Sequence, residues 1–187
     1  MTDSSNAPKF SRRVVFPVRM AISRLIIGFL GFWNTPANPY RKGYGYHTGL
    51  DYIGNDGRRG LGSSVIAIAD GVVVDSSPTL SPMGYGNMIV IEHPQFGGLQ
   101  SRYGHLASRT VKKGDIVKCE QRIGTMGKSG TDNVHLHFDL IKKSFGSLRY
   151  FPPGGWSKAK VIEFFRDPVE FFRSAGATDA PVSEEDF

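Results

Sequence analysis

Glycine and proline interrupt this chain so often that it has little room for long helices. There are 23 Gly and 11 Pro among the 187 residues, and one or the other separates almost every pair of short apolar runs rich in Val and Ile. Such runs, bounded by Gly or Pro, are typical of strands joined by tight turns. A parallel sheet would need crossover helices, which are absent between these runs. The pattern therefore predicts a mainly β, antiparallel fold.

The expected elements follow one another closely. We expect strands at residues 14–16, 49–53, 64–69, 71–76, 87–93, 100–106, 121–126 and 134–141. Near the C-terminus, residues 157–165 have the spacing of a short amphipathic helix, and Asp167-Pro168 predicts a further helical turn to residue 172. The expected core is therefore an antiparallel, β-sandwich-like sheet with short helical segments at its C-terminal end.

The length and composition predict a single domain with loose ends. With 40% hydrophobic residues, 187 residues can bury one core. Residues 1–12 are polar, which predicts a disordered N-terminal segment, and residues 173–187 are acidic and rich in small side chains, which predicts a flexible tail. The folded domain is expected at residues 13–172.

The charge distribution argues against a nucleic-acid partner. The formal net charge of +6 would suit a polyanion such as nucleic acid, a membrane surface or an anionic wall polymer. Residues 1–24 contain five basic and one acidic residue, residues 173–187 contain one basic and four acidic residues, and no dense Lys/Arg run lies between them. We expect a solvated, mildly basic surface.

Two further features limit the cellular context. Cys119 is the only cysteine, which excludes a disulfide or a cysteine-based zinc knuckle within one chain. Ser11-Arg12-Arg13 before the apolar run 25–33 resembles an export signal, but Arg24 interrupts the approach and nine residues are too few to span a bilayer. We expect an opening strand here, with no transmembrane span and no convincing signal peptide.

The five histidines include two informative spacings. His47 and Asp51 stand four residues apart at the start of an expected strand, and His135 and His137 stand two apart within another. Side chains alternate along a strand, so each pair lies on one face, and the two imidazoles are about 6.6 Å apart along the strand. His47 and Asp51 could share one metal ion. Spacing alone also leaves open unrelated surface or capping histidines.

Longer segments around these residues carry a family resemblance. They are residues 45–52 (GYHTGLDY), 64–73 (SVIAIADGVV), 85–93 (YGNMIVIEH), 103–106 (YGHL) and 134–138 (VHLHF). In this order and at these intervals, they resemble the lysostaphin/LytM-type zinc endopeptidases. Residues 167–172 resemble the closing segment of that family. The resemblance implies a β core of the duplicated-hybrid-motif type.

The resemblance also implies roles for individual residues. Zn²⁺ would be held by His47, Asp51 and His137, with His105 and His135 serving catalysis. The implied activity is hydrolysis of peptide cross-links in bacterial peptidoglycan, by a monomer acting at the cell wall in the periplasm or outside the cell. Two imidazoles and one carboxylate suit a catalytic zinc site, which keeps its fourth position for water.

Two other functions stay open. Residues 111–118 resemble the hairpin of lipoyl and biotinyl carrier domains, although no lysine flanked by Met or Ala stands at a hairpin tip. The second alternative is a non-catalytic module of the same fold that binds the cell wall or activates an amidase. Relatives of that kind typically lack one or more of the five residues, all of which are present here, so hydrolysis is preferred.

Neighbouring residues are expected to be less important. His93 ends a strand before Pro94, so we expect it at the surface. Asp139 is in phase with His135 and His137 and could orient a ligand imidazole, but we expect a solvated strand carboxylate. Packing, rim positions and a role in the site are all open for three nearby tyrosines, Tyr40, Tyr44 and Tyr46.

Overall fold

The structure is a computed structural model that describes residues 8–19, 25–27, 46–54, 57–78, 84–142 and 157–178. The terminal stretches 1–7 and 179–187 lie outside the described residues, as do residues 28–33 of the apolar run. The expected domain boundaries at residues 12 and 172 therefore stay a prediction.

Strands dominate the described residues. They are β1 (Leu25–Ile27), β2 (Gly49–Gly54), β3 (Ser64–Ile66), β4 (Gly71–Pro78), β5 (Asn87–His93), β6 (Leu99–Arg109), β7 (Ile116–Val117), β8 (Arg122–Met126), β9 (Leu136–Ile141) and β10 (Phe165–Arg166). The helices are α1 (Lys158–Phe164), α2 (Pro168–Ser174) and a 3-10 turn at Pro94–Phe96. The predicted mainly β class with short C-terminal helices is confirmed.

These strands form one antiparallel sheet. Its main path runs β1, β2, β9, β6, β5, β4 and β7. Off this path, β10 pairs with β9, and β8 pairs with both β3 and β6. All pairings between strands of the described part are antiparallel. Strand β9 lies between β2 and β6, so the two histidine-bearing segments predicted to cooperate are direct neighbours.

Strand β6 changes its pairing partner near its middle. Its first half pairs with β9, its second half pairs with β8, and the register with β8 shifts between Leu106 and Ser108. A bulge of this kind bends a strand and redirects a side chain. Here it lies next to His105, whose φ of 61° is in the left-handed region.

The core packs β9 against the C-terminal helices. Phe138 stacks on Phe172 of α2 with ring centroids 5.6 Å apart, and Tyr103 meets the edge of Phe138 at 5.4 Å. Helix α2 begins at Pro168 because Asp167 caps it, its Oδ1 accepting from Val169 N at 2.8 Å. One face of β9 is therefore covered by helix, and the other face is available to the site.

The prediction of a surface position for His93 is wrong. The side chain is 0% exposed. His93 Nδ1 lies 2.8 Å from Asp70 O, and Nε2 lies 2.8 Å from Ser101 Oγ. A carbonyl oxygen only accepts, so Nδ1 carries the proton and Nε2 accepts from Ser101. Burial lowers the pKa of His93 to about 4.

Residues near each end of the described part contact this core. Val15 bridges Thr178, and Val18 bridges Val65. Ser11 N donates to Asp70 Oδ2 at 3.1 Å.

In the described part of the chain, no helix has the length and apolar character needed to cross a membrane.

Candidate active site

The site is built where β2 runs beside β9. In this pairing Asp51 lies opposite His137, and Gly49 lies opposite Asp139. The backbones approach so closely that a Cβ on Gly49 would lie 2.0 Å from Phe138 O. Only glycine fits such an approach, and it lets the segment before β2 bring His47 over the same face.

His47, Asp51 and His137 converge on one point. His47 Nε2 lies 3.0 Å from His137 Nδ1, and Asp51 Oδ1 lies 3.2 Å from each of these two nitrogens. All three side chains are buried, and they form the group of potential metal ligands found among the described residues. The structure thus brings together the three ligands that the resemblance implied.

This triangle matches the requirements of a zinc ion. Ligands about 2.0–2.1 Å from a tetrahedral zinc lie roughly 3.3 Å from each other, close to the observed edges. His137 Nε2 lies 3.1 Å from the Asp139 carboxylate, so in the neutral ring the proton is on Nε2 and Nδ1 presents a lone pair. Two acceptors, His137 Nδ1 and Asp51 Oδ1, therefore face His47 Nε2. When His47 Nε2 also presents a lone pair, one cation can bind all three ligand atoms.

The charges of the triangle are set by its neighbours. Burial would raise the pKa of Asp51, but the nearby His47 and His137 rings outweigh it and hold that pKa well below its usual range. Burial would lower the pKa of His137, but a hydrogen bond to Asp139 and the nearby Asp51 carboxylate outweigh it and raise that pKa. Asp51 is therefore ionised at neutral pH, as a metal ligand must be.

His105 and His135 form a second imidazole pair beside the triangle. Their ring centroids are 4.5 Å apart, and His135 Nε2 lies 3.9 Å from Asp51 Oδ1. His105 Nδ1 lies 2.8 Å from Ser129 O, and His135 Nδ1 lies 3.0 Å from Asn133 O. Because both partners are carbonyl oxygens, each Nδ1 carries a proton and each Nε2 presents a lone pair.

Both imidazoles of this pair are neutral near pH 7. Burial, followed by the nearby His135 and His137, lowers the pKa of His105 to about 3. Burial also lowers the pKa of His135, although Asp51 opposes the shift. The site therefore holds two neutral bases next to three ligand atoms.

Comparison with known proteins agrees with this geometry. The sequence profile of peptidase family M23 matches residues 45–147, more than half of the chain. This chain belongs to peptidase family M23. The five converging residues all lie within the matched segment.

The relatives of this M23 chain include both a murein hydrolase activator and lysostaphin. It is 38% identical to the murein hydrolase activator NlpD of Escherichia coli (strain K12) over 110 residues, which are 58% of this chain and 27% of NlpD. It is 35% identical to lysostaphin of Staphylococcus staphylolyticus over 152 residues, which are 74% of this chain and 27% of lysostaphin. The chain thus spans about a quarter of the length of these curated relatives.

A solved structure has a similar fold. It is the catalytic domain of the antimicrobial peptidase lysostaphin from Staphylococcus simulans, with a TM-score of 0.53 and 27% identity. The match covers 78% of this M23 chain and 90% of the lysostaphin catalytic domain. The likeness to the lysostaphin family predicted from the sequence is confirmed.

The expectation that Asp139 is a solvated carboxylate is wrong. Asp139 is 0% exposed, and its Oδ2 accepts from His137 Nε2 at 3.1 Å and from Thr48 Oγ1 at 2.7 Å. Arg102, also 0% exposed, donates to both carboxylate oxygens, with Nε 3.0 Å from Oδ1 and Nη2 on Oδ2. Asp139 therefore hydrogen-bonds to Nε2 of His137, the ring nitrogen that is not part of the triangle.

Three residues of the site were not found from the sequence. Arg102 lies opposite Asp139 across β6 and β9, and its Cζ lies 3.8 Å from the ring centroid of Tyr85. Tyr85 O accepts from His105 N at 2.6 Å, and Ser129 holds the His105 ring. The one sequence signal near these residues was the two-residue spacing of His137 and Asp139, which puts both on the same face of the strand. Of the tyrosines considered, Tyr40 and Tyr44 lie outside the described residues, and Tyr46 is partly exposed.

Proposed function

We propose that this M23 chain is a zinc metallo-endopeptidase that hydrolyses peptide cross-links of bacterial peptidoglycan. The observation that carries the proposal is the buried triangle of His47 Nε2, Asp51 Oδ1 and His137 Nδ1, flanked by the neutral pair His105 and His135. His47, Asp51 and His137 would hold the zinc. Bound zinc would act as a Lewis acid toward a peptide carbonyl and toward water.

The protein's own groups provide the proton transfers. His105 Nε2 and His135 Nε2 both present lone pairs, because carbonyl oxygens hold the Nδ1 protons. One of these nitrogens accepts a proton from the attacking water, and the protonated ring returns it to the leaving amine. Asp51, ionised beside them, favours the protonated ring electrostatically.

The choice of peptidoglycan as substrate follows from the relatives. One is named as an activator of murein hydrolases, and another is described as an antimicrobial peptidase. Both descriptions suit action at the bacterial cell wall. We therefore place this protein there, in the periplasm or outside the cell, as a monomer without a nucleic-acid partner.

A non-catalytic activator of a wall amidase is the second candidate, and the 38% identity to NlpD favours it. Such a function depends on surface contacts and needs no metal ion or proton acceptor. It leaves unexplained why five side chains converge with tautomers suited to metal binding and proton transfer. Hydrolysis accounts for that arrangement.

Metal content and product chemistry separate the two candidates. The purified protein should contain one zinc per chain by elemental analysis. Incubation with purified peptidoglycan should release new peptide N-termini, detected by mass spectrometry, without any added amidase. Products that appear only when an amidase is added, and that are amidase products, would establish the activator function instead.

Variants test the individual roles. Asp51→Ala should lose zinc and activity together. His105→Ala should retain zinc and lose about 10²–10⁴-fold in rate, the usual contribution of a positioned proton-transfer group. His93→Gln, a histidine change outside the site, is the matched control and should retain both zinc and hydrolysis. Normal hydrolysis by His105→Ala would refute its catalytic role.

A further inference from the structure

Behind the triangle lies a buried ion pair that contributes none of the three triangle atoms. Arg102 and Asp139 lie opposite one another on β6 and β9, and both side chains are fully buried. A buried ion pair is seldom retained for stability alone, because desolvating both charges offsets most of their attraction. This pair therefore calls for a reason beyond holding the sheet together.

The contacts of Asp139 point toward His137. Its Oδ2 accepts from His137 Nε2, from Thr48 Oγ1 and from Arg102 Nη2, while Oδ1 accepts from Arg102 Nε. An ionised carboxylate has no proton to donate, so a proton is required on His137 Nε2. The opposite ring nitrogen, Nδ1, is then the one with the lone pair, and it is the nitrogen in the triangle.

Arg102 in turn keeps Asp139 ionised and in place. The permanently charged guanidinium of Arg102 is fully buried against Asp139, and this contact favours the ionised form of the carboxyl. The guanidinium bonds both carboxylate oxygens, which fixes the carboxylate plane, and it lies over the Tyr85 ring. Tyr85 also lies 4.9 Å from the His137 ring by centroids. The imidazole is thus held in both orientation and tautomer.

We propose that Arg102 and Asp139 are positioning residues that hold His137 as the Nε2–H tautomer and thereby set the affinity of the site for zinc. The inference rests on the proposed zinc site, but it does not require that the protein hydrolyse peptidoglycan. A partner behind a metal-binding histidine typically changes metal affinity by about 10–100-fold. That effect is measured with the metal alone.

The decisive variant is Arg102→Met combined with Asp139→Leu. It removes both charges together, so no unpaired charge remains buried, and both new side chains are apolar and of similar length. A merely structural role predicts a folded protein with unchanged metal affinity. The positioning role predicts a folded protein whose zinc dissociation constant rises by about 10–100-fold. Asp139→Asn, which keeps the shape but loses the charge, should also weaken zinc binding.

Ser101→Ala is the matched control. Ser101 is buried on β6 next to Arg102 in sequence, but it bonds His93 Nε2 on the opposite side of the strand. Its loss perturbs a buried hydrogen bond without touching the triangle. Zinc affinity, measured by competition with a chromophoric chelator, should therefore stay within about twofold of wild type, a small effect beside the expected change.

A spectroscopic readout is independent of affinity. In zinc-free protein at mildly alkaline pH, long-range ¹H–¹⁵N spectra should show the His137 proton on Nε2 in wild type and on either nitrogen in the double variant. Wild-type zinc affinity and an unchanged tautomer in the double variant would overturn the positioning role while leaving the proposed function intact. Tight zinc binding without hydrolysis would refute the proposed function alone. A wild-type protein that binds no zinc would overturn both.

Discussion

Lowering the pH should destabilise this protein through His93, a histidine outside the candidate site. The ring is buried and neutral, with Nδ1 donating to Asp70 O and Nε2 accepting from Ser101 Oγ. Protonating Nε2 would break the bond from Ser101 and place a charge in the core. The unfolded chain has no such penalty, so it takes up the proton first as the pH falls.

The size of the effect follows from the two pKa values. Burial lowers the pKa of His93 from 6.5 to about 4, which corresponds to roughly 3 kcal/mol once both states are titrated. Stability from the neutral ring is fully present above pH 6.5 and is lost as the pH falls toward 4. About 2 kcal/mol should be lost between about pH 7 and about pH 5.

Comparison with His93→Gln isolates this contribution. Urea unfolding followed by circular dichroism gives the free energy of unfolding of both proteins at each pH, at fixed total zinc. Zinc release and titration of the site histidines affect both proteins alike and cancel in the difference. Wild type should lose about 2 kcal/mol more than the variant over this interval. Parallel pH dependences would refute the assignment of a buried, neutral His93.

Three further outcomes are expected. Gly49→Ala should lower the free energy of unfolding in urea by about 2–3 kcal/mol and weaken zinc binding, because its Cβ would overlap Phe138 O. Gly62→Ala, at a position with open space and a φ of 88°, should lower that free energy by only about 1 kcal/mol. Asp70→Ala should lose about 2 kcal/mol, since its carboxylate accepts from three groups, whereas breaking the exposed Arg13 pair with Arg13→Ala should change stability by less than about 1 kcal/mol. A chelator should lower the melting temperature reversibly, with zinc at about 1,000 times its dissociation constant contributing about 4 kcal/mol; an unchanged melting temperature would contradict a folded-state zinc site.

Local sequence was sufficient to predict most of the longer strands and the site spacings. The expected strand at residues 14–16 is wrong, because this segment forms only isolated bridges to distant residues. Turn residues bound each apolar run, and β5 has the same bounds, Asn87–His93, as its prediction. His47 and Asp51 were placed on one face by their spacing, and their ligand atoms indeed lie 3.2 Å apart. These are properties of a few consecutive residues, so a period-two pattern and a turn signal suffice.

Two wrong predictions share one physical cause. His93 and Asp139 were expected in contact with water because they are polar and lie on strands. Both are fully buried, and β9 is buried along its whole length on both faces. Alternation separates a core face from a solvent face only where a solvent face exists. Whether that face is covered depends on distant segments, such as those that bring Thr48 and Arg102 onto Asp139.

The partners behind the triangle were likewise decided by tertiary structure. Arg102 and Asp139 are 37 residues apart in sequence and meet because β6 pairs with β9 in one register. A shift of one residue between these strands would turn Arg102 away from Asp139, and no local signal specifies that register. The identity of the ligands could thus be predicted from the chain alone, whereas their tautomers, charges and supports depend on which strands lie side by side.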